Sequence, residues 1–423
     1  MRRLRLLVVS QAPPSPPRFG AQVRMHGLLT ALAERHDLSV VSCAEPALVE
    51  EARRALAAYC RDVELVPDAI SAATARKRLL QLRSLASLRP SEELLFTRAA
   101  LQRRVDALLA RAPFDAVCLE GPFVARHRFA RHGAPRPRLV LGEHNVEWDV
   151  RRQIAGGGGG LARRAFMALD WRKMRRAEQA LWGRVDAVTV PSAQDAARVR
   201  AAQPGARVAI VPNAVDVEHY RPRPGDPPPD RSTLLFFGAL DYWPNVEGLL
   251  RFLDEIWPRV AATHPAARVR ILGRRPPPAL LARQGPRVEV AGFVPDLRPS
   301  LAAAAAVIVP LRLGGGTRLK ILEAMAMARP VVSTSLGAEG IDAVAGRELL
   351  LADDPDRFAA ELRRLLDDPA LGERLGAAAR ARVLARYAWS ASARALEALL
   401  VELCDVTHAR ARRPELELAG GPG

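Results

Sequence analysis

Between Val307 and Ser333 the chain reads as an apolar strand, three consecutive glycines, a helix rich in Ala, Leu and Met, and a second apolar strand. Two buried-type strands joined by a helix form a parallel βαβ unit, because only a crossover brings the chain back in the same direction. Such a unit needs cover on both sheet faces, which constrains its surroundings to a layered α/β domain. Gly314, Gly315 and Gly316 stand at the strand-to-helix turn. A turn of this kind offers unpaired N–H groups and the positive end of a helix, which suits an anion. Thr317 is expected to cap the helix. Arg318 and Lys320 then fall in its first turn, where fixed positive charge opposes the helix dipole. They are intelligible there if a phosphate is bound. Only three lysines (Lys77, Lys173 and Lys320) occur among 63 Lys and Arg residues. A compact ammonium at 320 therefore stands out, and it reaches a phosphate differently from a planar guanidinium.

The same alternation runs through all 423 residues. Leu4–Ser10, Leu38–Ser42, Ala116–Glu120, Leu139–Gly142 and Ala187–Pro191 read as one series of parallel strands. Val208–Val211, Leu234–Phe237, Val269–Leu272, Val288–Val290, Val307–Val309, Val331–Ser333 and Leu349–Leu351 read as a second. The expected class is therefore α/β, with two Rossmann-like doubly wound parallel-sheet domains, 1–205 and 206–385, and a ligand cleft between them. The proline-rich stretch Arg221–Pro229 suits a stiff connector, and Gly156–Gly160 reads as a surface insertion. Residues 386–404 are expected to form a C-terminal helix with the option of crossing back to the first domain. Residues 405–423 are expected to be a disordered tail.

A formal charge of +17 fits either an arginine-rich composition or attraction to an anionic membrane surface. Aromatic residues make up 5% and do not interleave with basic ones, so no base-stacking platform is present and nucleic acid is not expected as a partner. Cys43, Cys60, Cys118 and Cys404 are isolated, which points to a reduced, cytoplasmic compartment. The apolar run Leu6–Val9 is too short for an export signal and reads as the first strand. No stretch approaches the roughly 18 apolar residues of a membrane span, so membrane contact would be peripheral, at the inner face.

Several short pieces add chemistry. Gly20 follows a proline-rich loop after the first strand, where a missing side chain lets backbone approach a ligand. His144 follows a strand and faces the expected cleft, where an imidazole can bond a hydroxyl or stabilise departing charge. Glu323 follows Lys320 on one helix face, as a simple ion pair would. With Arg24, Glu143–Glu147, Val211–Asp216, Gly292–Asp296, Pro310–Gly340, Leu351–Pro355 and Tyr387–Ser390, these pieces occur in the order seen in one family. The chain resembles the retaining glycosyltransferases of family 4, whose two-domain arrangement is called GT-B. The wording GGGTRLKILEAMA is similar to a subgroup associated with bacterial surface polysaccharide and exopolysaccharide assembly.

The resemblance implies transfer of a hexosyl unit from a nucleoside diphosphate sugar to a glycan or lipid-linked acceptor, with retention of configuration. It assigns His144, Arg318 and Lys320 to catalysis. Gly20, Gly238, Gly315, Gly316, Thr317 and Glu323 go to the donor, and Arg24, Asn145 and Glu147 to the acceptor side. No metal and no cofactor beyond the donor are implied. Two departures stand out. Gly315 occupies the place of the first glutamate in the family's Glu-x7-Glu motif. The loop Gly238–Asn245 lacks the basic residues that clamp a diphosphate in many relatives, so Arg318 and Lys320 are expected to take over the clamp. A non-catalytic GT-B-like partner subunit and a GT-B sugar-nucleotide epimerase are the alternatives.

Overall fold

The computed structural model describes residues 2–68, 74–96, 98–130, 135–156, 161–226 and 229–411. The first sheet contains β1 (Arg5–Ser10), β2 (Asp37–Ala44), β3 (Asp62–Pro67), β4 (Ala116–Glu120), β5 (Arg138–Gly142), β6 (Ala187–Val190) and β7 (Val208–Ile210). Their order is β3-β2-β1-β4-β5-β6-β7 and every pairing is parallel. The second sheet contains β8 (Thr233–Phe237), β9 (Arg268–Leu272), β10 (Val288–Gly292), β11 (Ala306–Val309), β12 (Val331–Ser333) and β13 (Leu350–Leu351). It runs β10-β9-β8-β11-β12-β13, again all parallel. Central strands such as β1, β4 and β11 are continuous apolar runs because helices cover both of their faces.

Two strands differ from the sequence reading. β3 was not expected, because Asp62 and Glu64 interrupt its apolar residues. It is an edge strand, and Glu64 turns outward to Arg104 at 3.2 Å and Arg111 at 3.8 Å. β7 belongs to the first sheet, so a boundary after residue 205 would cut it away. Val208 pairs with Val188 of β6, and the Val211 amide donates to the Val190 carbonyl at 2.8 Å. The second sheet begins only at β8.

The chain crosses between the lobes twice, and the crossings lie side by side. The Val215 amide donates to the Tyr387 carbonyl at 2.8 Å, and Val215 bridges Ala388. The last helix, Trp389–Ala411, then packs on the first lobe against helix Gly20–Ala33. Leu396, Leu399, Leu400 and Leu403 join the core built around β1 and β2. Gly27 is required at this contact, since a Cβ there would lie 2.2 Å from the Trp389 ring. Glu397 fastens the helix to His36 at 3.1 Å and Arg35 at 2.9 Å. The helix continues to Ala411 rather than ending at Cys404, so the expected tail is shortened from its start. Gly157–Gly160, part of the proline-rich connector and 412–423 lie outside the described residues.

Candidate active site

The strands of both lobes end at the gap between them. On the second lobe, Gly238 follows β8 and Gly273 follows β9. A Cβ on Gly273 would stand 2.0 Å from the Gly238 carbonyl oxygen, so the two strand exits approach backbone to backbone. Gly238 itself has φ +151°, and its own Cβ would stand 2.8 Å from Lys320 Nζ. The Lys320 side chain thus fills the space above the loop that lacks basic residues. Its ammonium donates to Asn245 Oδ1 at 2.9 Å and sits 4.0 Å from the Phe236 ring centroid. Burial lowers the Lys320 pKa to about 7, with Arg318 acting in the same direction and Glu323 opposing. Burial likewise raises Glu323 to about 7, opposed by Lys320 and by a hydrogen bond from Tyr220.

The helix after the glycines is Leu319–Ala326, and Arg318, not Thr317, is its N-cap residue. Arg318 has extended backbone, φ −84° and ψ 103°, so the helix starts later than the Thr317 signal implied. Thr317 Oγ1 is buried with no hydrogen-bond partner among the described residues, while the Thr317 carbonyl accepts from Asn213 Nδ2 at 3.0 Å. The Arg318 guanidinium folds back on the turn. Its Nη1 donates to the carbonyls of Gly315 and Gly316, the latter at 2.7 Å. Its Nη2 is buried and has no partner among the described residues. Gly314 and Gly316 have φ +120° and +69°, which only glycine adopts without strain. A Cβ on Gly314 would also lie 2.9 Å from Arg318 Nη2.

On the first lobe, β5 leads into Glu143, His144 and Asn145. His144 Nε2 lies 3.3 Å from Glu120 Oε2 at the end of β4, and His144 Nδ1 is buried without a partner among the described residues. Gly142 leaves room for this carboxylate, since a Cβ there would meet Glu120 Oε2 at 3.0 Å. Glu143 points the other way, accepting from Trp182 Nε1 at 2.9 Å. Burial pushes its pKa up to about 8. Asn145 donates to Glu147 Oε1 at 2.8 Å, and burial raises Glu147. Glu178 is fully buried and accepts from the Glu147 and Trp148 amides at 3.0 and 2.7 Å, capping helix Glu147–Ala155. The segment that carries His144 is therefore pinned from behind.

The glycine turn touches that segment directly. The Gly314 amide donates to Gln153 Oε1 at 2.9 Å. A Cβ on Gly315 would stand 2.8 Å from Val150 Cγ2, and one on Gly316 would stand 2.5 Å from the His144 carbonyl oxygen. Gly20 opens helix Gly20–Ala33, with Leu319 Cδ1 3.6 Å from its Cβ position, so two helix N-termini meet at the gap. Arg198 adds a tie between the lobes, reaching Asp195 at 3.1 Å and Glu339 at 2.6 Å.

Arg24 is a correction. It is buried at the lobe junction, donating to Asn213 Oδ1 at 2.7 Å and to the Val211 carbonyl at 2.8 Å. Its donors face the protein, so it is not exposed to an acceptor. Arg24, Asn213 and the Thr317 carbonyl instead form a hydrogen-bonded chain from the first lobe to the glycine turn. Glu120, Glu178, Asn213, Tyr220 and Asn245 were not picked out as site residues from sequence. Glu120 alone left a visible sign, a carboxylate closing an otherwise apolar strand. Beside the gap lies a cleft of about 440 Å³, lined by Pro13, Arg18, Phe19 and Phe96 of the first lobe and by Arg274 and Arg275 of the second.

Two parallel-sheet lobes with a cleft at the strand ends define the GT-B class of fold. Residues 20–219 match the family model described as Glycosyltransferase Family 4, and residues 231–368 match that of Glycosyl transferases group 1. The two matched segments fall one on each lobe. Over 221 residues it is 32% identical to the D-inositol 3-phosphate glycosyltransferase of Kineococcus radiotolerans, covering 45% of this chain and 50% of that one. The chain spans about half the length of the curated relatives it matches. Among solved structures, sucrose-phosphate synthase from Thermosynechococcus elongatus superposes with a TM-score of 0.73 at 19% identity, covering 96% of this chain and 100% of that one. Anabaena HepE in complex with UDP-glucose superposes with a TM-score of 0.62 at 15% identity, with coverage of 96% and 100%. At those identities the likeness is one of fold.

Proposed function

We propose that this protein is a retaining glycosyltransferase that moves a hexosyl unit from a nucleoside diphosphate sugar to a glycan or lipid-linked acceptor in surface polysaccharide assembly. The observation that carries the reading is the convergence at the gap of Lys320, the unpartnered Arg318 Nη2 and the glycine-turn backbone, all opposite His144. In such a transfer the bond from the sugar's anomeric carbon to the diphosphate breaks while the acceptor hydroxyl adds to that carbon. The acceptor proton passes to the leaving phosphate. Negative charge grows on the diphosphate, and preformed donors aimed at it lower the barrier. Lys320 and Arg318 supply the cations, and His144, braced by Glu120, faces the transferred sugar. Glu323 lies a helical turn beyond Lys320, where a carboxylate can accept from ribose hydroxyls. Asn145 and Glu147 stand on the opposite wall. The 440 Å³ cleft with Arg18, Arg274 and Arg275 is the space for an acceptor.

The reading is tested by a thermal-shift panel of UDP-, GDP- and ADP-sugars, followed by calorimetry with the best ligand. Lys320→Ala is expected to weaken binding at least tenfold, the effect of about 1.4 kcal/mol. Unchanged affinity would remove Lys320 from the site. A second reading, a non-catalytic partner subunit, is favoured by one observation: no carboxylate stands at Gly315. Loss of transfer in Glu323→Ala, with folding intact, would exclude it.

A further inference from the structure

We infer that the hairpin of helices Thr74–Leu85 and Ser91–Phe96 docks the protein onto an anionic phospholipid bilayer. Leu79, Leu82, Leu85 and Leu88 are all exposed, and Leu88, at 86%, is the most exposed large apolar side chain among the described residues. The first three recur at every third helical position, so they share one face with exposed Arg78 and Arg83, while Ser84 is buried on the other side. Three exposed leucines on one helix face, with a fourth in the turn that follows, mark an interaction face.

The patch is held outward by a buried polar frame. Lys173 donates to the Ser84 carbonyl at the end of the first helix. Asp170 accepts from the Ser91 amide at 2.8 Å and its hydroxyl at 3.2 Å at the start of the second. Arg151 pairs with Asp170 at 3.0 Å and with Glu92. Ser84 Oγ donates to the Arg89 carbonyl at 3.0 Å and closes the turn. Both helices are thus fixed to helix Leu161–Trp182, and the leucines cannot fold back into the core.

Charge selects the occupant. From Thr74 to Ser91 the sequence contains Arg76, Lys77, Arg78, Arg83 and Arg89 and no Asp or Glu. Of these, Arg78 and Arg83 are exposed beside the leucines, while Glu92 is drawn to Arg151 and Glu93 to Arg89 and Arg126. Leucines flanked by exposed arginines match the interface of an anionic bilayer, where apolar side chains enter the headgroup boundary and arginines meet phosphates. Position adds a reason. Asp68 and Phe96 flank the hairpin in sequence and both line the 440 Å³ cleft, so docking would hold that cleft at the headgroups. That last step rests on the proposed function, because it is there that a lipid-linked acceptor would be presented. Docking itself does not rest on it.

The test is sedimentation of the full chain with vesicles of phosphatidylcholine alone and of equimolar phosphatidylcholine and phosphatidylglycerol. Binding to the mixed vesicles and little to the neutral ones is expected. The double variant Leu82→Glu and Leu85→Glu, and Leu88→Glu in the turn, should each weaken binding about tenfold or more with the melting temperature preserved. Arg78→Glu with Arg83→Glu should abolish the preference for anionic lipid. Leu384→Glu, a comparably exposed leucine on the second lobe, should bind as wild type. Equal binding to both vesicles, or wild-type binding by the leucine variants, would overturn the inference. So would a dimer that the leucine variants dissociate without changing vesicle binding. Nucleotide-sugar binding plays no part in these readouts, so failure here and failure of the proposed function are separable.

Discussion

Lys320 and Glu323 sit one helical turn apart, yet their environment outweighs their attraction. An exposed pair at this spacing is worth a few tenths of a kcal/mol, and one pKa unit corresponds to about 1.4 kcal/mol. Burial takes Lys320 from 10.5 down to about 7 and Glu323 from 4.5 up to about 7, so desolvation dominates both. Such a pair is poised for an incoming diphosphate, which would favour the charged lysine. Glu143 is perturbed differently, with no ligand in prospect. Burial raises it to about 8 from the 4.5 of a free carboxyl, and the neighbouring buried Glu178 is raised with it. Between those values the folded state binds more protons than the unfolded state, so this group makes stability fall as pH rises. Glu143→Gln keeps an acceptor for Trp182 and removes the titration. The melting temperature of the variant should therefore decline less than that of wild type from about pH 5 to about pH 8. Parallel slopes would show that Glu143 does not carry a proton in the native state.

The glycine turn and the helix Glu147–Ala155 are shaped to each other. Gly315 leaves a gap of one side chain and Val150 fills it, with Val150 Cγ2 2.8 Å from the absent Cβ. A side chain at position 315 would therefore collide with Val150, and glycine is the residue that fits. Gly315→Glu alone should push the lobes apart and reduce transfer, and adding Val150→Ala should recover part of the loss. If the double variant is no better than the single one, contact with Val150 is not what excludes a side chain there. Much of this was legible in sequence at the level of elements. All six strands of the second sheet were read from apolar runs between helical stretches, because buried parallel strands carry that signal on their own. β3 escaped because an edge strand can face water and interleave acids. β7 was placed in the wrong lobe because a short apolar run says nothing about which sheet it will join. Of the residues that meet at the gap, the glycines and Lys320 stood out in sequence through backbone geometry and charge, and His144 and Glu323 through the family resemblance. Glu178, Asn245 and Tyr220 did not, because their roles arise from partners far away in sequence; Asn213 reads in sequence as an architectural turn residue, and its bonds to Arg24 and the Thr317 carbonyl are of that kind.

At the scale of the whole molecule, three links set the lobes against each other. Asn213 joins Arg24 to the Thr317 carbonyl, Gln153 accepts from the Gly314 amide, and Arg198 reaches Glu339. The paired crossings at Val215 and Ala388 lie nearby, and the last helix returns to the first lobe. This arrangement puts the glycine turn at the gap, against the segment that carries His144, and the Lys320 side chain over Gly238. The central claim is that this turn and Lys320 receive the diphosphate of the donor. It is tested most directly by a crystal structure of the protein with uridine or guanosine diphosphate. The account predicts the terminal phosphate within hydrogen-bonding distance of Lys320 Nζ and of the Gly315 or Gly316 amide. A nucleotide bound elsewhere, with the glycine turn bare, would contradict it.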